Sequence, residues 1–229
     1  MKPIVVRNIE RPDAGLIRKL GEFGVATVHE AQGRKGLMLP YMRPIYPTAR
    51  VAGPAVTAYC HAGDNLMIHA AIEVCRPGDV MVVTTQSESS DGMFGELLAT
   101  SFRAHRIAGI VIEAGVRDVA DLTEMKFPAF SKAISSQGTV KETAGSVNID
   151  VVCAGATVHP GDVIVGDVDG VVVVERREVA EVVRLCEERL AKEAKNRERL
   201  KAGELGLDMY GLRAKLKALG VEWVDRAPQ

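Results

Sequence analysis

The sequence contains two similar turn-and-strand units, PGDVMVV at 77–83 and PGDVIV at 160–165. In each unit proline presets φ and glycine permits the positive φ of a type II turn, so a buried strand is expected to follow at once. Two copies favour a layered core over a solenoid, because a repeat array needs about three or more copies of its unit. Helix and strand patterns alternate outward from both units, which predicts an α/β fold.

Composition limits the classes of protein to which the chain can belong. It has 229 residues, with 29 Lys and Arg against 30 Asp and Glu, so the net charge is −1. Without a net positive charge, binding to nucleic acid or to an anionic membrane is not expected. Aromatic residues make up only 4% of the chain, which disfavours base-stacking modules and flat aromatic ligands.

The lengths of the apolar runs and the spacing of the cysteines predict the cellular compartment of the protein. The longest apolar runs, such as 171–174, are far shorter than the roughly 20 residues of a membrane helix. The N-terminal segment 1–7 lacks the features of a signal peptide, so a soluble, cytoplasmic protein is predicted. The four cysteines form no C-x-x-C pair and are expected to be reduced and mostly buried, the alternative being a zinc site.

Several short motifs predict local structure. Gly24 is expected to end a first helix, and a short second helix is expected from Thr27. The stretch DVDG at 167–170 favours a hairpin over a calcium loop, because its glycine stands at the fourth position instead of the sixth. The stretch GRKG at 33–36 is either a mobile basic loop or a site for a phosphate or carboxylate.

The C-terminal part of the chain differs from the rest in composition. A helix predicted at 178–202 carries a sparse apolar stripe in its first half and is dense in Glu, Lys and Arg beyond it. Its second half has too few apolar residues for a core of its own, so it is either a solvated surface helix or an arm on a neighbouring subunit. We therefore divide the chain into an α/β core at 1–177 and a helical extension at 178–229, expected to pack on a neighbouring subunit.

The stretch GELLATSF at 95–102 is the most informative for function. Its apolar residues share one face, so a helix is expected to begin near Gly95, with free amides preceded by glycines. Glycines let a ligand approach the backbone, and a helix N-terminus favours an anion. The stretch predicts either a carboxylate or phosphate site or a glycine-rich loop that merely starts a helix.

A second stretch, GIVIEAGVRD at 109–118, predicts a buried strand that ends in Arg117 and Asp118. Ligands collect at the carboxyl ends of strands in open α/β sheets. The alternatives are a helix cap for Asp118 and a surface ion pair for Arg117. If Glu96 and the Arg117-Asp118 pair face one another across a crevice, two carboxylates attract a divalent cation, while arginine and helix amides attract an anionic substrate.

The spacing of these residues resembles that of a known family. The stretches GELLATS at 95–101 and AGVRD at 114–118, with twenty residues between Glu96 and Arg117, are similar to the acidic-x20-Arg-Asp signature of the 4-hydroxy-4-methyl-2-oxoglutarate/4-carboxy-4-hydroxy-2-oxoadipate aldolases. These are class II pyruvate aldolases with an RraA-like fold. The resemblance implies a layered α-β-β-α single domain with a helical C-terminal extension, in a homo-oligomer that is a trimer or hexamer.

The resemblance also implies a role for each matching residue. The pyruvate carboxylate would be held by backbone amides of the first turn of the helix, which is formed by Gly95, Glu96, Leu97 and Leu98. Arg117 would bind the substrate and its enolate oxygen. Asp118 would be a direct ligand of a divalent metal, Mg²⁺ or Mn²⁺, and Glu96, which stands where some members carry Asp, would reach the metal through water. Glu193 is the best match for a further glutamate that an adjacent subunit supplies.

The implied reaction is the retro-aldol cleavage of a small anionic 4-hydroxy-2-oxo acid of aromatic-compound catabolism. It releases pyruvate plus pyruvate or oxaloacetate, with decarboxylation of oxaloacetate as a side activity. One alternative is a Schiff-base aldolase that uses Lys132, which lies in a predicted strand. The other is a non-catalytic RraA-like protein that regulates a ribonuclease by binding a protein partner. Glu96 together with Arg117 and Asp118 favours the metal-dependent enzyme, since a binding module needs no such set.

Overall fold

A computed structural model describes residues 2–226, in which helices and strands alternate as predicted. By its internal contacts the chain divides into two units, 1–186 and 187–229. The helices are α1 (Ala14–Phe23), α2 (Val25–Ala31), α3 (Leu66–Ile72), α4 (Glu96–Ala104), α5 (Val119–Glu124), α6 (Val179–Lys201), α7 (Gly206–Met209) and α8 (Leu212–Ala218). The strands are β1 (Arg43–Pro44), β2 (Val51–Cys60), β3 (Val80–Thr85), β4 (Gly92–Phe94), β5 (Gly109–Val116), β6 (Ala129–Ile134), β7 (Ser146–Val147), β8 (Val151–Cys153), β9 (Ala156–Val158), β10 (Val163–Asp167) and β11 (Gly170–Val174).

One mixed sheet organises the first unit. Its order is β1-β6-β5-β3-β2-β10-β11, with β4 beside β5 and β7 beside β2, while β8 and β9 form a separate hairpin. The neighbours β2, β3, β5 and β6 run parallel, whereas β1, β10 and β11 join antiparallel. Arg43 Nη1, on the first strand of this order, donates to the backbone oxygen of Asp169 at 2.7 Å, in the turn between the last two strands. The sheet is therefore nearly closed.

Both faces of the sheet are buried, which explains why its strands are continuous apolar runs rather than alternating ones. The inner face encloses a core that includes Val82, Val111, Phe130, Ile164 and Val173. On the outer face, α3, α4 and α5 cover the parallel strands, and α1, α2 and the first part of α6 cover β10 and β11. The two sheet halves thus lie between two helical layers, which confirms the predicted α-β-β-α arrangement.

The two PGD turns deliver β3 and β10 in the same way. Asp79 and Asp162 are each 1% exposed. Each carboxylate accepts a hydrogen bond from the backbone amide three residues earlier, at 2.7 Å for Asp79 and 2.9 Å for Asp162. Arg11 adds a bidentate bond to Asp79 at 2.8 and 2.7 Å, and the amide of Arg176 adds a bond to Asp162 at 3.0 Å. A buried, fully bonded aspartate therefore fixes each turn, and the strand prediction is confirmed at both.

The hairpin at 167–170 is also confirmed, since β10 and β11 pair antiparallel across it. Asp167 accepts the amide of Asp169 at 2.9 Å within the turn and that of Val25 at 2.9 Å outside it. Gly24, at φ 81°, ends α1 as predicted. The second helix begins at Val25 rather than at Thr27, because the Asp167 carboxylate satisfies the first free amide of that helix.

The cysteines agree with the predicted buried thiols. Cys60, Cys153 and Cys186 are buried and Cys75 is partly buried, all of them unbridged. Burial raises the pKa of Cys60 and of Cys75 to about 12, which leaves both thiols protonated at neutral pH. Across residues 2–226 no helix combines the length and the apolar character needed to cross a bilayer.

The second unit holds the end of α6 together with α7 and α8. Its large apolar side chains are mostly exposed, among them Leu205, Tyr210, Leu219 and Trp223. Within it Glu193 Oε1 lies 2.8 Å from Arg189 Nε, four residues earlier on the same helix. The predicted packing of the extension on a neighbouring subunit stays a prediction.

Candidate functional site

The start of α4 leaves little room for a side chain at position 95, because Arg117 and Asp118 lie close to its backbone. Gly95 precedes the helix with an extended backbone at φ −157°, as the sequence predicts. A Cβ atom at this position would clash with Asp118 Oδ2 and would lie 2.9 Å from Arg117 Cγ. The glycine therefore allows the first amides of α4 to approach the end of β5 closely.

The end of β5 places Arg117 and Asp118 beside that helix start. The amide of Arg117 donates to Phe94 O at 2.9 Å, and Asp118 Oδ2 accepts the amide of Glu96 at 3.0 Å. Asp118 has a left-handed backbone at φ 55° and makes no side-chain cap for α5. Its carboxylate therefore faces α4 and does not cap α5, in a left-handed backbone conformation that aspartate adopts more readily than most residues.

Arg117 and Asp118 form a loose ion pair that remains open to a ligand. Arg117 Nε lies 3.6 Å from Asp118 Oδ2, and the two side chains are 44% and 37% exposed. Exposed pairs of this kind contribute little to stability. Both charges are therefore free to meet a charged small molecule.

Arg117 lines a cavity of about 280 Å³ between α3, α4 and the segment that follows β6. Its walls include Asn65, His69, Gly95, Leu98, Arg117 and Lys141. Two of the lining side chains are cationic, and none of the described lining residues is acidic. This cavity is therefore suited to a small anion.

His69 contributes a neutral polar group to the cavity. Burial lowers the pKa of His69, and the positive charge of Lys141 lowers it further. The imidazole is consequently unprotonated at neutral pH and can accept a hydrogen bond or a proton. The positive charge of the cavity comes from Arg117 and Lys141.

The backbone and the side chain of Glu96 point in different directions, and only the backbone contacts Asp118. Its amide binds Asp118, as described, while its Oε1 accepts the hydroxyl of Thr100 at 2.7 Å. The side chain lines a separate cavity of about 420 Å³, together with Arg103, Asp121 and Glu124. The structure thus brings Glu96 next to Asp118 but does not place its carboxylate in the cavity of Arg117.

The Asp118 carboxylate is the acidic group of this site that could contribute to binding a divalent cation. Among residues 2–226, no three His, Cys, Asp or Glu side chains are grouped so that they could hold a metal ion. Mg²⁺ is commonly bound through only one or two carboxylates, with water and substrate oxygens completing its shell. Asp118 uses one oxygen for a single amide bond and can offer the other as one such ligand, whereas the Glu96 carboxylate accepts the Thr100 hydroxyl and lines the separate cavity. The predicted role of Glu193 as a further ligand stays a prediction.

Three cavity residues were missed by the sequence reasoning. Asn65 immediately precedes α3, His69 lies on that helix, and Lys141 lies in the segment before β7. The rule that ligands gather at the carboxyl ends of strands identified the end of β5, and applied to β2 it would have indicated Asn65. Lys132, the Schiff-base candidate, is not among the residues that line this cavity, and its Nζ lies 2.7 Å from Glu88 Oε1.

Comparisons with known proteins agree with this fold. A sequence model of the RraA-like family, described as Aldolase/RraA, matches residues 25–173. A protein of Halalkalibacterium halodurans with the provisional name 4-hydroxy-4-methyl-2-oxoglutarate aldolase is 29% identical over 150 residues, which cover 66% of this chain and 71% of the relative. A protein of Burkholderia multivorans with the same provisional name is 34% identical over 143 residues, covering 62% and 87%.

Two solved structures extend the comparison. Streptomyces coelicolor RraAS2, described as an unusual member of the RNase ES inhibitor RraA protein family, matches with a TM-score of 0.73 and 27% identity, over 82% of this chain and 100% of the other. The RNA-processing inhibitor RraA from Thermus thermophilis matches with a TM-score of 0.58 and 25% identity, over 65% and 90%.

Proposed function

Because the chain belongs to the RraA-like family, we propose that it is a class II aldolase, a carbon-carbon lyase that depends on Mg²⁺ or Mn²⁺. Its substrates would be 4-hydroxy-4-methyl-2-oxoglutarate and 4-carboxy-4-hydroxy-2-oxoadipate, cleaved to pyruvate plus pyruvate or oxaloacetate. The observation that carries the proposal is the Arg117-Asp118 pair, set against the first amides of α4 at the edge of a cationic cavity. The names of the relatives support the same class of reaction.

Substrate binding follows from the charges of the cavity. The amides at the start of α4 and the Arg117 guanidinium would hold the carboxylate and the 2-oxo oxygen at one end of the substrate. Lys141 would neutralise a second carboxylate. A cavity of about 280 Å³ suits a small acid with few rotatable bonds better than a nucleotide or a peptide.

Bond cleavage requires a proton acceptor and a site for negative charge. His69 would accept the proton of the 4-hydroxyl while the C3–C4 bond breaks and its electron pair passes to the 2-oxo group. Arg117 would donate hydrogen bonds to the oxygen on which this enolate charge develops. Asp118 would hold the divalent cation, with Glu96 acting through water, and what the cation supplies is Lewis-acid polarisation of the substrate. Protonation at C3 then gives pyruvate, and oxaloacetate decarboxylation would follow through the same enolate.

The site would be completed in a cytoplasmic homo-oligomer, trimeric or hexameric. Asp118 and Glu96 are few ligands for a cation, so a carboxylate from a second copy would add affinity. Glu193 in the C-terminal extension, residues 178–229, is the proposed source. Its present partner is Arg189, on the same helix.

Pyruvate release from both substrates tests the proposal. Activity should disappear with a chelator and return on addition of Mg²⁺ or Mn²⁺. Turnover that survives complete chelation would overturn the metal-dependent route. Trapping of pyruvate on Lys132 by borohydride would then assign the Schiff-base route.

The second candidate is a non-catalytic regulator of a ribonuclease. It is favoured by the fold match to an unusual member of the RNase ES inhibitor RraA protein family and to the RNA-processing inhibitor RraA. Inhibition of a purified RNase E-type enzyme, with no turnover of either 4-hydroxy acid at any metal concentration, would establish this function in place of the aldolase.

A further inference from the structure

Asp64 is a buried carboxylate that joins two segments of the cavity wall. It lies between β2 and α3 and is 2% exposed. One carboxylate oxygen accepts the amide of Leu66 at 2.9 Å, and the other accepts the amides of Glu142 and Thr143 at 2.9 and 2.7 Å. A single side chain thus ties the start of α3 to the segment 140–143.

Asn65 continues the same connection toward α4. Its backbone amide donates to Val140 O at 3.1 Å, and its side-chain amide donates to Met93 O at 3.0 Å. Met93 lies two residues before Gly95, where the backbone amides begin that would hold an anion. Asp64 and Asn65 therefore connect the segment that carries Lys141 to the strand that leads into α4.

The segment 140–143 depends on these bonds for its position. It belongs to no helix or strand, and it is joined to the fold by one isolated bridge between Asp64 and Val140. Burial tends to raise the pKa of Asp64, but the hydrogen bonds from the amides of Leu66, Glu142 and Thr143 together lower it. The carboxylate is therefore ionised, and bonds from amides to an ionised acceptor are the stronger kind.

We propose that Asp64 and Asn65 are positioning residues that set the spacing between Lys141 and the first amides of α4, and thereby the affinity for a dicarboxylate. Neither residue acts on the reacting atoms. Asp64, which does not line the cavity, acts through Lys141, and Asn65, which lines the cavity itself, also holds Val140 and Met93 in place. The proposal rests on the proposed function, because that function supplies the substrate with two carboxylates.

Asp64→Asn tests the proposal because it preserves volume but replaces one acceptor oxygen by the NH₂ group of a carboxamide. That group is a donor and cannot accept hydrogen bonds from the backbone amides that it faces. KM for 4-hydroxy-4-methyl-2-oxoglutarate should rise by about tenfold or more while kcat stays within about threefold, the pattern of lost ground-state binding. A loss of stability alone would lower the amount of active enzyme, and so the apparent kcat, without changing KM.

Asp162→Asn is the matched control. Asp162 is also a buried aspartate that accepts two backbone amides, in the turn before β10, and it does not line the cavity. It should lose a similar amount of stability while KM stays unchanged. An equal rise in KM in both variants would overturn the positioning role.

A double-mutant cycle asks whether Asp64 acts through Lys141. In a Lys141→Ala background, Asp64→Asn should raise KM by less than about twofold, because the group that it positions is already gone. Additive effects, or an unchanged KM in the single variant, would overturn the proposal.

Binding of 2-oxoglutarate, which lacks the 4-hydroxyl and is not cleaved, separates this proposal from the proposed function. If the wild-type protein binds 2-oxoglutarate but cleaves neither substrate, only the aldolase fails. The positioning role then stands if calorimetry shows about tenfold weaker binding in Asp64→Asn and none of this loss in Asp162→Asn. It is overturned if the two variants bind equally, or if the wild-type protein binds no 2-oxoglutarate.

Discussion

Asp64 and Asp118 occupy corresponding places in the fold and differ in almost every property that matters for chemistry. Each follows a parallel strand of the same sheet and precedes a short helix, Asp64 between β2 and α3 and Asp118 between β5 and α5. Asp64 is 2% exposed, and its two oxygens accept three backbone amides. The Asp118 side chain is 37% exposed and accepts one, with a left-handed backbone.

The difference in hydrogen bonding distinguishes a carboxylate that holds the backbone of the site in place from one that can bind a ligand. A carboxylate has about four lone-pair sites, and amides occupy most of those on Asp64. The Oδ2 atom of Asp118 accepts the Glu96 amide and lies 3.6 Å from Arg117 Nε, while its Oδ1 has no hydrogen-bond partner among the described residues. An aspartate at a strand end can bind a cation or a substrate only if one of its oxygens is not already occupied by hydrogen bonds.

The largest effect is expected from Asp118→Asn. Asparagine tolerates the left-handed backbone and can still accept the amide of Glu96, so the unfolding free energy should change by less than about 0.5 kcal/mol. Pyruvate release should nevertheless fall to the level of chelator-treated wild-type enzyme, because the charge that would hold the cation is gone. Metal-dependent turnover near the wild-type rate, in a variant whose stability is confirmed by urea unfolding, would remove Asp118 from the site.

The next effect in size is expected from Arg117→Ala. Loss of a donor to the developing enolate oxygen should lower kcat by about 10²- to 10³-fold. Arg7→Ala is the control, since Arg7 is an exposed arginine whose pair with Glu73 should contribute little. If the two variants turned over substrate at similar rates, Arg117 would be a surface cation like Arg7. The end of β5 would then have no demonstrated functional role to set against the structural role of Asp64.

A third effect, on stability, is expected at Asp64 as a function of pH. Because the folded pKa is lowered, the stabilising contribution is present above the unfolded value near 3.9 and is lost as pH falls through the lower folded value. Asp64→Asn should therefore lower the unfolding free energy by about 1–3 kcal/mol at pH 5–7. The difference from wild type should shrink below about pH 4. Urea unfolding between pH 3 and 7 measures it, and a difference independent of pH would show that the charge of Asp64 is not what the amides stabilise.

Sequence periodicity and turn chemistry predicted the elements well where the determining contacts are local. The PGD turns, the hairpin before β11 and the helix start at Gly95 each depend on residues a few positions apart, and each was found where it was expected. The second helix was misplaced at its start because the group that caps it, Asp167, lies 142 residues away. Local patterns carry no information about such a partner.

The same limit applies to the cavity. Arg117 could be predicted because it ends a strand whose apolar run is unmistakable. Asn65, His69 and Lys141 come together only when β2, α3 and the segment after β6 are folded beside α4. Their spacing along the chain does not predict this proximity. The sequence is equally compatible with a helix cap at Asp118, because its actual partner, the amide of Glu96, belongs to another helix.

The smallest effect is expected at Glu96, whose position relative to Asp118 is the least direct part of the site. Glutamine can still accept the Thr100 hydroxyl, so α4 should keep its start, while the loss of charge should raise the Mg²⁺ concentration for half-maximal activity by about tenfold. Glu124→Gln is the control, because Glu124 lines the same separate cavity as the Glu96 side chain. A matching shift in both variants would assign the effect to the general negative charge of that cavity. A shift confined to Glu96→Gln would show that the Glu96 carboxylate, like that of Asp118, contributes to binding the cation.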